Sequence, residues 1–303
     1  MKVGTTDGPQ GWLQQRFGSN TLNHPGPDVE VLWVHQTVVD ESFLARFPAL
    51  RGIIRLGVGY DKIDLAACAK RGVQVANVPD YCTDEVAQST LAFALDWARG
   101  HNELEAALHA DPARWQHHSL HRIRGLQELT FGAIGVGRIG SRALDLARAV
   151  GFKTVGFDLI ESRCHGASSL AELLDVADIV SLHVPLTPLT SGLVDALFID
   201  GMKSGSFLIN TARGGLLGDA LALIEAIETN RLHGAAVDVL PEEPWVGDSA
   251  LFQYVQSGKA LGKLRITPHN AFHSSASANR LLESAAQEVE RLRTAGTFKH
   301  RIA

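Results

Sequence analysis

Short apolar runs alternate with segments of helical periodicity through the middle of this 303-residue chain. The runs are apolar throughout rather than at every second residue, which is typical of strands buried on both faces of a parallel sheet. Repeated strand–helix units of this kind predict an open, doubly wound α/β sheet. We predict strands at 131–136, 154–157, 179–184, 206–209 and 235–239, with helices at 139–150, 169–177 and 219–229.

The two ends of the chain repeat the pattern on a smaller scale. We predict strands at 29–34 and 52–56 and helices at 42–47, 85–100 and 274–294. The terminal segments are therefore expected to build one domain and the middle of the chain the other. Residues 87–269 would form a Rossmann-type doubly wound sheet, inserted in a flavodoxin-like α/β domain made of 1–86 and 270–303.

The composition is that of an ordinary globular protein, with 45% apolar and 20% charged residues. The formal net charge of −5 gives no reason to expect nucleic acid as the main partner. We predict no membrane segment, because no stretch reaches the roughly 18 uninterrupted apolar residues of a membrane helix. The three scattered cysteines suit a reducing compartment, so we expect a cytoplasmic protein.

A glycine-rich turn follows the first predicted strand of the middle domain and opens its first helix. Gly135 permits a tight turn, Gly137 lets the backbone approach a pyrophosphate, and Gly140 lets the helix pack closely on the strand. The N-terminus of the helix adds free N–H groups and a partial positive charge. Alone, such a turn is a weak signal, because a glycine-rich loop without a ligand has the same sequence.

An acidic residue strengthens the interpretation of the glycine turn. Asp158 ends the next predicted strand, at the distance from Gly140 where an acid binds a ribose 2′-hydroxyl. A carboxylate there repels a 2′-phosphate, which favours NAD over NADP. The alternative is that Asp158 only caps the strand end. The order of strand, turn, helix, strand and acid predicts a dinucleotide-binding domain.

Three polar segments follow further predicted strands, at the edge where doubly wound sheets bind ligands. Arg213 offers a planar, permanently charged fork suited to a 2-oxo acid, and His269 is a proton carrier near neutral pH. Glu243 could hydrogen-bond the imidazole and orient it. Singly, these residues also suit structural roles as a surface ion pair, a strand-end histidine and a solvated acid. Together, behind a cofactor motif, they favour catalysis.

Several blocks in this order resemble the D-isomer-specific 2-hydroxyacid dehydrogenase family over nearly the whole chain. They are LGVGYDKID at 56–64, GVGRIG at 135–140, HVPLT at 183–187 and the three polar segments. The resemblance implies that Arg213 binds substrate, Glu243 pairs with the acid–base residue and His269 is that residue. It implies cofactor contacts from Gly135, Gly137, Arg138, Ile139, Gly140, Asp158, His183, Pro185, Thr190, Thr211, Ala212 and Asp238.

The resemblance also implies where the substrate binds. Its carboxylate would meet backbone N–H groups around Val58 and Gly59. Within the family, the segments 35–37, 55–61, 81–87 and 269–272 are similar to the C-terminal-binding-protein corepressors and their bacterial relatives. In that branch the residue matching Arg55 points at the substrate and the residue matching Phe272 lines the pocket. Arg55 could instead pair with an acid, and Phe272 could pack in the hinge.

We therefore predict an NAD-dependent oxidoreductase that interconverts a small D-2-hydroxy acid and its 2-oxo acid, of the glyoxylate or hydroxypyruvate reductase type. Two alternatives stay open: an NAD(H)-sensing, corepressor-like binding protein, and an enzyme like D-3-phosphoglycerate dehydrogenase. We expect a homodimer. We expect no metal, because His117, His118 and His121 lie close together without accompanying cysteines or an acid cluster.

Overall fold

The computed structural model describes residues 1–22, 24–115, 123–244 and 249–303. The chain divides into two compact units, of which the first comprises Met1–Cys82 and His273–Ala303 and the second Thr83–Phe272. The domain limits at 86/87 and 269/270 remain a prediction and lie a few residues from these divisions. Within the described ranges, every helix is too short or too polar to cross a membrane.

The first unit contains a sheet of five parallel strands. They are β1 (Val3–Thr5), β2 (Thr21–Leu22), β3 (Val31–Val34), β4 (Gly52–Arg55) and β5 (Gln74–Asn77). Their order, β2-β1-β3-β4-β5, is the flavodoxin-like order and confirms that part of the predicted fold. β1, β2 and β5 were not predicted from the sequence: β1 and β2 have only three and two residues, and β5 (QVAN) is polar at both ends.

Three of the four helices of this unit, α2, α3 and α11, begin with a side-chain cap. Asp40 accepts a hydrogen bond from the backbone N–H of Phe43, and Ser274 does the same for Ser277. The C-terminal residues then return to the sheet, where the N–H of Ile302 donates to the carbonyl of Val75 at 2.7 Å. The helices are α1 (Gln10–Phe17), α2 (Glu41–Ala45), α3 (Leu65–Lys70) and, after the second unit, α11 (Ser275–Ala295).

The second unit contains a sheet of six parallel strands. They are β6 (Thr130–Ile134), β7 (Lys153–Phe157), β8 (Ile179–Leu182), β9 (Ser206–Asn210), β10 (Leu232–Val237) and β11 (Leu264–Ile266). The order is β7-β6-β8-β9-β10-β11. Beside β7, a single parallel bridge joins Gly156 to Gly166. This bridge takes the place of the third strand of the Rossmann order 3-2-1-4-5-6, so the order reverses between β6 and β8.

Both faces of the six-stranded sheet are buried, as the apolar runs predicted. On β9, Phe207 and Ile209 pack into one hydrophobic cluster, whereas Leu208 between them packs into another on the opposite face. Helices on each side supply the covering side chains, which confirms the doubly wound prediction. The helices are α4 (Thr83–Arg99), α5 (His101–Ala110), α6 (Arg138–Ala149), α7 (Leu170–Val176), α8 (Ala196–Gly201), α9 (Ala220–Glu228) and α10 (Ala250–Gln256).

Candidate functional site

The polar segments that the sequence analysis selected in the second unit lie at one edge of its sheet. All six strands are parallel, so the residues that follow them meet at their carboxyl ends. Gly135 follows β6, His183 follows β8, Thr211 follows β9 and Asp238 follows β10. The reversal of strand order between β6 and β8 makes this edge the expected ligand crevice.

The glycine turn has the geometry that a pyrophosphate needs. Gly135 has φ +90°, which disfavours any side chain. A Cβ added at Gly140 would lie 1.9 Å from the carbonyl oxygen of Gly135, so only glycine allows this close packing. A Cβ added at Gly137 would meet no atom within 4 Å, and no side chain caps the first turn of α6 among the described residues. The backbone of Gly137 therefore borders open space.

Asp158 lies against the glycine turn. Its Oδ2 accepts a hydrogen bond from the N–H of Val136 at 2.8 Å, and its Oδ1 accepts one from Ile160 at 2.9 Å. A carboxylate has about four acceptor sites, so each oxygen keeps capacity for a ribose hydroxyl. The structure thus brings Asp158, which is predicted to bind the ribose, beside the glycine turn that is predicted to bind the phosphates.

The segment after β8 forms the opposite side of the turn. The backbone of His183 would lie 2.8 Å from a Cβ at Gly135, and its Nε2 lies 3.0 Å from Oγ of Ser181. Burial lowers the pKa of His183 to about 4, so its imidazole is neutral at pH 7. Thr190 donates its hydroxyl to the carbonyl of Pro185 at 2.6 Å, which holds the loop in shape.

The proposed acid–base pair is present in the structure. Nδ1 of His269 lies 2.7 Å from Oε2 of Glu243, while Oε1 of Glu243 accepts from the N–H of Leu240 at 3.0 Å. An ionised carboxylate only accepts hydrogen bonds, so Nδ1 is the donor and Nε2 is the nitrogen left for proton transfer. The two side chains keep 30% and 29% of their accessible surface, which leaves room for a substrate.

Asp238 holds the turn that carries His269. Its buried carboxylate accepts from the hydroxyl of Thr267 at 2.5 Å and from the N–H groups of Asn270 and Ala271, both at 2.9 Å. Its backbone carbonyl accepts from the N–H of His269 at 2.7 Å. His269 has φ +51°, a left-handed conformation that this network stabilises. Both carboxylate oxygens of Asp238, which was predicted to contact the cofactor, therefore accept hydrogen bonds from the segment around His269.

Arg213 lies in a loop packed against the segment that carries Glu243. One guanidinium nitrogen donates to the carbonyl of Ala212 at 2.7 Å. Asn210, which the sequence analysis missed, accepts from the N–H of Ala212 and donates to the carbonyl of Arg213. A Cβ at Gly214 would lie 1.8 Å from the carbonyl oxygen of Leu240, so glycine is required for the two loops to meet.

Thr211 and Phe272, two further predicted residues, have different kinds of surroundings. The hydroxyl of Thr211 lies 2.9 Å from that of Thr90 on α4, and both residues are buried, so the side chain of Thr211 faces the core. Only its backbone remains available for a cofactor. The ring of Phe272 lies edge-on to that of His269, with centroids 6.1 Å apart. This contact suits the pocket role proposed for Phe272.

The segment of the first unit that is predicted to bind substrate follows β4. Nη1 of Arg55 donates to the carbonyl of Leu56 at 2.9 Å, so this side chain lies against its own loop. Asn77, which the sequence analysis missed, donates to the carbonyl of Val58 at 2.6 Å. Among the described residues, nothing accepts a hydrogen bond from the N–H groups of Val58 and Gly59. Asn77 therefore anchors a loop in which the N–H groups of Val58 and Gly59 are available to a ligand.

Comparison with known proteins identifies the family. Residues 91–271 match the family described as D-isomer specific 2-hydroxyacid dehydrogenase, NAD binding domain. A Haemophilus influenzae protein assigned to the 2-hydroxyacid dehydrogenases is 33% identical, over 87% of this chain and 84% of its own. The chain belongs to the D-isomer-specific 2-hydroxyacid dehydrogenase family.

Two other dehydrogenases of the family extend the comparison. The D-3-phosphoglycerate dehydrogenase of Mycobacterium leprae is 33% identical over 90% of this chain, which spans half of that protein's length. The structure of D-lactate dehydrogenase from Aquifex aeolicus, in complex with NAD and lactic acid, is similar with a TM-score of 0.85 and 28% identity. It covers 98% of this chain and 99% of its own. The predicted family, enzyme class and cofactor are confirmed: the chain is an NAD-dependent 2-hydroxyacid dehydrogenase that acts on CH–OH groups.

The residues of this dehydrogenase fit NAD. The uncapped first turn of α6, the open space at Gly137 and the placement of Asp158 match the phosphates and ribose of a dinucleotide. Within the described ranges, no group of three or more His, Cys, Asp or Glu could hold a metal ion. His117, His118 and His121 lie outside those ranges.

Proposed function

We propose that this dehydrogenase reduces small 2-oxo acids, of the glyoxylate or hydroxypyruvate class, to D-2-hydroxy acids with NADH. The observation that carries the proposal is the 2.7 Å contact between Glu243 and His269, at the sheet edge that also carries Arg213. The A. aeolicus relative, which binds lactic acid, supports a substrate of this size.

His269 moves the proton in this mechanism. Bound NADH supplies a hydride to the carbonyl carbon. As the carbonyl π bond breaks, its oxygen takes the proton from Nε2 of His269, so 2-oxo acid, NADH and one proton give 2-hydroxy acid and NAD⁺. Glu243 orients the imidazole through Nδ1 and stabilises its protonated form. In the reverse direction His269 accepts the hydroxyl proton.

Charged and backbone donors hold the substrate in the same proposal. Arg213 binds the 2-oxo acid through its planar fork of N–H donors. The N–H groups of Val58 and Gly59 bind the carboxylate, Arg55 contacts the substrate and Phe272 lines the pocket. Asp158 selects NAD over NADP by repelling a 2′-phosphate.

The two alternative functions predicted from the sequence would give different results in an assay of substrate turnover. A corepressor-like NAD(H) sensor binds NADH without turning over an oxo acid. An enzyme like D-3-phosphoglycerate dehydrogenase oxidises a phosphorylated hydroxy acid with NAD⁺.

A substrate panel tests the proposal. NADH oxidation is followed with glyoxylate, hydroxypyruvate, pyruvate and phenylpyruvate, and NAD⁺ reduction with D-3-phosphoglycerate. We expect turnover of a small oxo acid, and a loss of at least about 100-fold in His269→Ala, because a general acid contributes that much. NADH binding without reduction of any oxo acid would refute the proposal and favour the sensor.

A homodimer belongs to the same proposal. No residue of α5 is fully buried, although the helix carries Leu104 and Leu108, and Trp115 beyond it is 64% exposed. These apolar groups suit an interface with a second copy. Light scattering during gel filtration tests it, and a monomer mass at micromolar concentration would contradict it.

A further inference from the structure

Asp7 fills an anion-binding loop in the first unit. Its Oδ1 accepts from the N–H of His35 at 2.8 Å, and its Oδ2 accepts from Gln36 at 2.5 Å and Thr37 at 2.8 Å. Three successive N–H groups that converge on a carboxylate form a nest, an arrangement that binds anions. Here the chain itself provides the anion.

The surroundings of this nest also favour an anion. Nζ of Lys62 donates to the side-chain carbonyl of Gln36 at 2.7 Å, which places a positive charge beside the loop. Burial opposes ionisation of Asp7, but the hydrogen bonds that it accepts from His35, Gln36, Thr6 and Thr37 together outweigh burial and lower its pKa. Asp7 is exposed, so a solute can reach the place that its carboxylate occupies.

The nest lies at the end of the sheet where the substrate carboxylate is proposed to bind. It follows β3, and the loop with Val58 and Gly59 follows β4, the neighbouring parallel strand. The two strands are still paired at their ends, where the N–H of Leu56 donates to the carbonyl of Val34 at 2.8 Å. Neighbouring strands lie about 4.8 Å apart, so the two loops begin side by side at this end of the sheet.

We propose that Asp7 is a specificity-determining residue that occupies the nest of His35, Gln36 and Thr37 and thereby excludes 2-oxo acids with a second, distal anionic group. This inference rests on the proposed function for its substrate class. A distal carboxylate or phosphate would meet the charge of Asp7 and find the three N–H donors already bonded. Oxo acids with a short, uncharged side chain avoid that repulsion.

Anion binding tests the nest without reference to activity. In Asp7→Ala the three N–H groups lose their acceptor, and sodium sulfate should raise the unfolding temperature saturably, compared with sodium chloride at equal ionic strength. Asp28→Ala is the matched control, because Asp28 pairs with Lys2 before β3, at the opposite end of the strand. An equal sulfate effect in both variants, as general salting-out gives, would overturn the nest as an anion site.

Activity tests the specificity. We compare kcat/KM for 2-oxoglutarate with that for 2-oxopentanoate, which has the same number of carbons and no distal charge. Asp7→Ala should raise this ratio about tenfold or more, because it removes the repulsion between Asp7 and the distal carboxylate of 2-oxoglutarate and frees the three N–H donors. Asp7→Asn should raise it less, because its side-chain oxygen still occupies the nest. An unchanged ratio with an intact sulfate response would overturn the specificity role. If the wild type reduces no oxo acid, the proposed function fails, and with it the specificity role, while the sulfate response still decides the anion site.

Discussion

The Nδ1 atom of His269 lies 2.7 Å from Oε2 of Glu243, although 26 residues separate them in the chain. Each belongs to a loop that follows a different strand, β11 or β10. Because those strands are neighbours in the sheet, the loops reach each other, and the carboxylate determines which imidazole nitrogen remains for the proposed proton transfer.

Removing the charge of Glu243 should slow the reaction. Glu243→Gln keeps the size of the side chain but can no longer stabilise a protonated imidazole, so we expect kcat to fall at least about tenfold. Steady-state kinetics with the best oxo acid measures the effect. Glu242→Gln, one residue earlier and exposed, is the matched control and should keep wild-type rates. Equal rates for both variants would contradict a role for Glu243.

Two glycines of the same turn should respond differently to alanine. Gly140→Ala places a methyl group 1.9 Å from a carbonyl oxygen, so we expect a loss of about 1–3 kcal/mol in the free energy of unfolding. Gly137→Ala meets no atom within 4 Å and should change it by less than about 0.5 kcal/mol.

The same pair separates stability from cofactor binding. The methyl group of Gly137→Ala lies where the pyrophosphate approaches, so NADH affinity should fall at least tenfold, about 1.4 kcal/mol. Urea unfolding and NADH fluorescence titration measure the two effects. Wild-type affinity in Gly137→Ala would show that the cofactor does not approach this backbone.

Asp238 should stabilise the turn that carries His269, so its removal should lower the free energy of unfolding. Asp238→Ala leaves the N–H groups of Asn270 and Ala271 and the hydroxyl of Thr267 without their acceptor. We expect a loss of about 3 kcal/mol in the free energy of unfolding, together with most of the activity. Denaturant unfolding and kinetics on the same preparation measure both, and unchanged stability would refute this role.

The buried His183 should make stability depend on pH. Burial lowers its pKa from 6.5 to about 4, so below pH 6.5 the unfolded chain takes up a proton that the folded chain does not. This contribution is complete above pH 6.5 and is lost as the pH falls towards 4. One such proton changes the free energy of unfolding by at most about 1.4 kcal/mol per pH unit.

Urea unfolding at pH 5 and pH 7 measures this slope. Part of His183 stays accessible, so we expect less than the maximal value. His183→Asn carries no titrating group and should show a shallower decline than the wild type between the two pH values. Identical slopes would show that another group is responsible.

The sequence alone determined the features that depend on near neighbours in the chain. Burial on both faces requires apolar residues at every strand position, so the strands of the doubly wound sheet were recognisable as runs. Glycines at 135, 137 and 140 are required by the backbone of one turn, and Asp158 follows at the spacing of one helix and one strand. β1 and β2 carried too few residues for such a signal, and β5 has polar residues at both ends in place of an apolar run.

Only the tertiary structure decided what distant segments do together. The pairing of Asp7 with His35, Gln36 and Thr37 joins loops 28 to 30 residues apart, and polar residues in loops have no periodicity that predicts a partner. Asp238 follows β10, whereas the residues that its carboxylate binds follow β11, so this contact likewise depends on where the two strands end. Such contacts follow from strand order and loop geometry, because side chains at one sheet edge meet only after the strands have paired.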